Sequence, residues 1–273
     1  MGISILFCYL KVNKANDMSD ELAGSESITP KSTYTVSARG KADHQSVMKF
    51  LRQHFGAVPL AQVESVFGFV ERSSLYGGRF YLMRQLSERD VGLLADNNIG
   101  IRIPFTNHFA TKEEFDANRS LLAKYHHKRN SIICTNDDLA YWIKQEFPDY
   151  DIEASVIKNL TKAEQVEEAF TLYDTVVLPM VLNDDEAFLS ALQHKDRIRL
   201  FANAGCAYTC PARTCYKSIS KFNKGNGGEF KCSQDLKARE MQGMVDFDLT
   251  RLRRLGFHKF KLLRARAGEQ TGY

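Results

Sequence analysis

Residues 131–157 read SIICTNDDLAYWIKQEFPDYDIEASVI, and this stretch decides the fold. Its first five residues, Ser131 to Thr135, form a short β-prone apolar run that ends in a polar turn at Asn136. Leu139, Trp142, Ile143 and Phe147 then recur at helical spacing, as expected of a helix lying along a sheet. A second β-prone run, Ile152 to Ile157, follows. Strand, polar turn, amphipathic helix and strand make one βα unit of a parallel sheet.

The same rhythm extends in both directions. Further strands are predicted at Ser65 to Val70, Gly100 to Phe105, Thr175 to Met180, Arg197 to Ala202 and Lys259 to Leu263. Phe115, Leu121, Leu122 and Tyr125 mark another intervening helix, and a last one runs from Phe247 to Leu255. The fold class is therefore α/β, a (β/α)8 or TIM-like barrel with parallel strands, irregular or incomplete in places. At 273 residues with 44% hydrophobic composition, the chain is long enough for one such core. Residues 46–273 are assigned to the barrel. Residues 1–45, polar over most of their length and without sustained period, are expected to form a loose tail. The helix expected from His44 to Phe55 either plugs the bottom of the barrel or packs against it.

Asn107, Asn136, Asn159, Asn183 and Asn203 each stand just beyond an apolar run, at spacings of 29, 23, 24 and 20 residues. The carboxyl ends of barrel strands carry active sites, so these amides are expected around one mouth. Asn107, Asn136 and Asn203 are taken as candidate substrate contacts. For most individual members, helix capping or a turn is the commoner use of Asn.

The apolar run Ile3 to Leu10 is too short to span a bilayer and lacks a secretory signal's flanks, so a soluble, cytoplasmic protein with no membrane span is expected. The net charge of +4 is modest, but residues 251–266 hold seven Lys or Arg and no acid. An anionic partner and a solvated surface explain that stretch equally well.

Six cysteines are too few for a disulfide scaffold, and four fall between Cys206 and Cys232. With Cys210 and Cys215 they give the spacing C-x3-C-x4-C-x16-C. Thiolates in fours suit iron-sulfur or structural zinc. Zinc ribbons use paired C-x2-C knuckles, which this pattern lacks, so the looser spacing after a predicted strand favours a 4Fe-4S cluster, with Zn as the alternative. Cys134 closes a strand and is expected to be an inert packing residue.

Asn203, Gly205, Cys206, Cys210, Pro211 and Arg213 form a run that resembles the N-x-G-C-x3-C-P-x-R stretch of the family historically called peptidase U32. Two weaker likenesses accompany it. Val63 to Ser73, VESVFGFVERS, is similar to that family's first strand, and Leu255 to Arg264, LGFHKFKLLR, to its closing segment. This chain departs from the family at Leu263 and Arg264, where an acidic residue and a glycine are usual. The resemblance implies a barrel with a four-cysteine 4Fe-4S cluster and an oxygen-independent hydroxylase acting on RNA or another aromatic substrate, with prephenate as an anionic oxygen donor. Ending at Tyr273, without the long extension of larger members, the chain is expected to be a compact barrel or to work with a partner barrel subunit.

A donor with two carboxylates needs cations, and Arg79, Lys158, Arg213 and Lys261 are the candidates. An RNA substrate could use residues 251–266 and the lysines at 217, 221, 224 and 231, with Tyr208, Tyr216 or Phe222 for stacking. Two rival classes stand beside the hydroxylase. One is a non-catalytic scaffold protein whose metal staples a loop. The other is a peptidase, against which the sequence shows no H-E-x-x-H helix and no G-x-S-x-G elbow.

Overall fold

A computed structural model describes residues 31–208, 210, 213–225, 227–234 and 245–263. Its strands are β1 (Thr33–Ser37), β2 (Val63–Phe67), β3 (Gly100–Ile103), β4 (Ser131–Cys134), β5 (Asp151–Ala154), β6 (Thr175–Val177), β7 (Ile198–Phe201), β8 (Asn203–Ala204), β9 (Val245–Asp246) and β10 (Lys259–Leu262). The order β1-β10-β7-β6-β5-β4-β3-β2 closes into a barrel, parallel throughout. It is a (β/α)8 TIM-like barrel. The short β8 and β9 pair antiparallel outside it.

The outer helices are α1 (Val47–His54), α2 (Glu88–Asp96), α3 (Lys112–Ala117), α4 (Arg119–Tyr125), α5 (Asp137–Glu146), α6 (Ala163–Ala169) and α7 (Glu186–Ala191). Two more, α8 (Cys215–Asn223) and α9 (Leu249–Arg254), lie between β7 and β10. Local chemistry sets several starts. Ser87 and Thr111 form capping boxes with Asp90 and Glu114, and Asn136, Asp185 and Asp248 accept from the first-turn amides of α5, α7 and α9. Apolar faces do the rest, with Leu139, Ala140 and Ile143 of α5 fully buried.

The described part of the expected tail holds the largest departure. Residues 33–37 are β1, so the barrel begins well before residue 46; residues 1–30 lie outside the described residues. The helix expected to plug or flank the barrel is α1, which connects β1 to β2 as the outer helix of the first unit. Val47, Phe50 and Leu51 bury its inner face.

Lys41, after β1, pairs with Asp90 of α2 at 2.9 Å, with almost no side-chain exposure on either partner. Asp90 also accepts the backbone N–H of Val47, tying the entry of α1 to its neighbour. Burial pushes the Asp90 carboxyl up, but Lys41 and the Ser87 and Val47 amides outweigh it and hold it below the usual range. Asp90→Ala leaves the buried ammonium with the Ala42 carbonyl but no counter-charge, so a stability loss of about 3 kcal/mol is expected in chemical denaturation.

Candidate active site at the barrel mouth

A polar layer crosses the barrel where many barrels stack Val, Ile and Leu. Arg102 of β3 and Arg199 of β7 reach inward and meet on Glu153 of β5, at 2.7 Å from Nη1 and 2.9 Å from Nε. Both arginines also reach Glu64, at 2.6 and 3.1 Å, and Arg102 donates to Ser65 at 2.7 Å. Lys261 of β10 completes the layer, its Nζ 3.7 Å from the other Glu153 oxygen, and Asp151 stands 3.7 Å from Arg102. Arg102, Arg199 and Lys261 thus face Glu64, Asp151 and Glu153, a neutral set. Burial alone would push the Glu153 carboxyl up, yet Arg102, Lys261 and Arg199 hold it below the ordinary range. Asp151 goes the other way, because there burial outweighs the attraction of Arg102.

Above this layer, at the carboxyl ends of the strands, lies a cavity of about 170 Å³. Phe67 and Phe201 form apolar wall, Arg39 and Arg79 bring positive charge, and Cys206 and Tyr216 line the side toward α8. Lys261 belongs to both cavity and layer. Burial, opposed by Glu153 and reinforced by Arg102, Arg199 and Arg79, brings its ammonium down to about 8.

The loop that carries Arg79 is held by close backbone approach. A Cβ at Gly77 would overlap the Thr106 carbonyl, and Gly78 adopts φ +72°, so neither position suits another residue. Asn223, at the end of α8, fastens the same loop by donating to the Arg79 and Tyr76 carbonyls at 2.8 and 3.2 Å and accepting from the Tyr81 N–H. The Arg79 guanidinium rests 5.5 Å from the Phe67 ring centre and 5.1 Å from that of Phe69.

The cysteine segment leaves the barrel after β7. Asn203 pins its root by exchanging two hydrogen bonds with the Leu263 backbone, at 3.0 and 2.8 Å. Cys206 follows on the cavity wall, and Cys215 opens α8 with its side chain buried. Ser218 bridges the Cys215 carbonyl and the Lys231 backbone, which brings Cys232 alongside the first turn of α8. The Cys210 sulfur lies 2.9 Å from the Ser233 hydroxyl. Burial pushes the Cys215 thiol up to about 12, and Cys232, Cys210 and Cys206 push the same way. All three are therefore close enough for charge on them to be felt at Cys215.

No described cysteine is in a disulfide, and no trio of His, Cys, Asp or Glu among the described residues is closed to metal-binding geometry. The donor set nevertheless fits a soft metal centre. Four thiols share one neighbourhood, and their mutual repulsion as thiolates is what a bound cation relieves.

The predicted residues divide sharply. Arg79, Lys261 and Cys206 meet at the cavity. Lys158 instead pairs with Asp137 at 2.6 Å, and Arg213, at φ 49°, donates to Asn159. The asparagines serve the scaffold. Asn107 donates to the Ser74, Tyr76 and Ser220 carbonyls, Asn136 caps α5, Asn183 donates to Phe201, and Asn203 holds the loop root. Cys134 is the buried thiol that was expected, burial pushing it well above the ordinary range. In the basic stretch, Arg251 donates to the Asn183 carbonyl and Arg253 to Ser32 and Tyr34, while residues 264–266 lie outside the described residues. Glu153, Arg102, Arg199, Arg39 and Asn223 were not anticipated. A charge inside an otherwise apolar strand, as in GIRI or IRLF, was the available signal.

Fold and site together define a TIM-like barrel with a cysteine-bearing insertion after its seventh strand. Among solved structures, that of the U32 peptidase Mk0906 is similar, with a TM-score of 0.59 at 14% identity over 96% of this chain and 98% of that one. At that identity the likeness is one of fold. No protein-family profile matches the sequence, and no curated protein does. No helix among the described residues is long and apolar enough to cross a membrane.

Proposed function

We propose that the chain is a U32-type barrel protein in which Cys206, Cys210, Cys215 and Cys232 hold a 4Fe-4S cluster beside the mouth cavity, and that it is an oxygen-independent hydroxylase of RNA or another aromatic substrate. The observation that carries this reading is the shared wall. Cys206 lines the same cavity as Arg79 and Lys261, and it acts electrostatically on Cys215 together with Cys210 and Cys232.

The cluster would supply electron transfer or a Lewis-acidic iron, chemistry no side chain performs alone. The chain's own residues supply binding and exclusion of water. Arg39 and Arg79 would take the carboxylates of an anionic oxygen donor such as prephenate, Arg offering a bidentate fork. Phe67, Phe201 and Tyr216 would give an aromatic ring an apolar wall. Turning C–H into C–OH is a two-electron oxidation, so the donor gives up one oxygen atom and is itself reduced by two electrons. For RNA, Lys217, Lys221 and Lys231 are exposed beside the exposed Phe222 and Phe230, a basic and aromatic face on and next to α8. A partner barrel subunit would dock near that mouth.

Anaerobic purification with iron, sulfide and zinc quantification tests the cluster. Iron and sulfide in near-equal amounts, with charge-transfer absorption, are the expected result. Stoichiometric zinc without iron would replace the redox reading with the metal-stapled scaffold. Mass spectrometry of nucleosides from cells lacking the gene then tests the substrate. A hydroxylated base should disappear, and an unchanged profile would count against RNA.

A further inference from the structure

Lys261 is chemically unusual among the cavity residues. It is 6% exposed, on the closing strand of the barrel, and its Nζ makes no hydrogen bond to a described residue. The 3.7 Å to Glu153 Oε1 is beyond hydrogen-bond reach, and the other Glu153 oxygen is shared by Arg102 and Arg199. Phe67 and Phe201 flank the Nζ, with ring centres 4.5 and 5.9 Å away. Burial acts on it first, then Glu153 from β5, Arg102 from β3, Arg199 from β7 and Arg79 from the loop after β2, while Glu64 and Asp151 of the same layer pair with the arginines.

We propose that Lys261 is a nucleophilic amine that forms a Schiff base with the carbonyl carbon of a small 2-oxo acid bound in the mouth cavity. An amine at the carboxyl end of a barrel strand, buried beside the cavity without a hydrogen bond to a described residue, is arranged to stay partly neutral and to attack a carbonyl. The neighbouring cations choose the acid. Arg39 and Arg79 line the same cavity and offer a carboxylate a partner one bond from the reacting carbon. In the step, the Nζ lone pair forms the new C–N bond and both nitrogen hydrogens leave with the carbonyl oxygen as water. One C=N bond replaces one C=O bond, and nothing is oxidised or reduced.

This inference does not rest on the cluster. The purified full-length chain, with iron and sulfide measured on the same sample, is incubated with pyruvate and cyanoborohydride, which reduces the imine to a stable secondary amine. Intact mass should rise by one 1-carboxyethyl group, and peptide mapping should place it on Lys261. Modification there is expected to be at least about tenfold faster than at exposed lysines such as Lys49 and Lys128, with half-maximal rate near pH 8. Acetaldehyde, which has the carbonyl without the carboxylate, should label Lys261 at least about tenfold more slowly than pyruvate, and Arg79→Gln should erase that preference. Labelling of Lys261 no faster than of the exposed lysines in the native protein overturns the proposal whatever the iron content. Equal rates with acetaldehyde and pyruvate overturn the assignment to a 2-oxo acid.

Discussion

Glu153→Ala is expected to lower stability by about 3 to 5 kcal/mol, the largest effect of any single substitution in the barrel. Glu153 is fully buried and binds Arg102 and Arg199 directly, with Lys261 close by. Removing it leaves Lys261 without an acid in reach among the described residues and the two buried arginines with only the partly exposed Glu64 and Asp151. Breaking a buried ion pair costs far more than the pair contributes over an apolar substitute, because the surviving charge has lost both water and partner. Glu64→Ala should cost less, since its side chain is 31% exposed and water can take its place. Guanidinium denaturation of the two variants checks the ranking. A Glu153→Ala protein within about 1 kcal/mol of the native chain would mean that the layer is not the strongly coupled unit described here. The pH dependence has a definite sign. Glu153 is held below its ordinary range in the folded state, so its contribution is present above the unfolded value of about 4.3 and is lost as pH falls through the folded one.

The second large effect concerns the thiols. Cys215→Ala is expected to bring bound iron and sulfide to background while leaving the far-UV circular dichroism of the barrel unchanged. Alanine keeps most of the small apolar volume at the start of α8. The helix is also fastened independently, by Asn107 to the Ser220 carbonyl and by Asn223 to the Arg79 loop. Loss of this proposed ligand therefore need not release α8. Cys134→Ala is the control, because that thiol sits buried in β4 and should leave iron content unchanged. If Cys215→Ala kept its full iron while Cys134→Ala lost it, the assignment of ligands would be reversed.

Seven of the eight barrel strands lie within a few residues of apolar runs visible in the sequence, and the exception explains itself. β1 reads TYTVS, and its Thr35 donates to the Ser65 carbonyl and shares a hydrogen bond with the Ser65 hydroxyl inside the barrel. A strand whose inner face meets a polar layer has no reason to look apolar, so Thr33–Ser37 passes for part of a tail. The same layer hid the site. Arg102 and Glu153 are 51 residues apart, and Arg199 and Glu64 are 135 apart. Each charge is visible alone, but nothing local says which acid it meets.

The asparagines show the converse. Their regular places after strands were legible, yet a side chain there can turn toward ligand, helix amide or neighbouring carbonyl with equal local ease. Asn107 and Asn203 were drawn to backbone groups on α8 and beside β10 that arrive only when the barrel closes.

Periodicity, turn chemistry and capping are local, and by themselves they determined the succession of all but the first strand, the helices between them, the parallel class of the sheet and the place of the cysteine segment after the strand Arg197 to Ala202. Closure decided the rest. It put Lys261 against Glu153 and the rings of Phe67 and Phe201, gathered Arg39 and Arg79 at one cavity, and left Lys158 and Arg213 to other partners. The physical reason is that the energy of a charge depends on which charges and how much water surround it, and those neighbours come from distant parts of the chain.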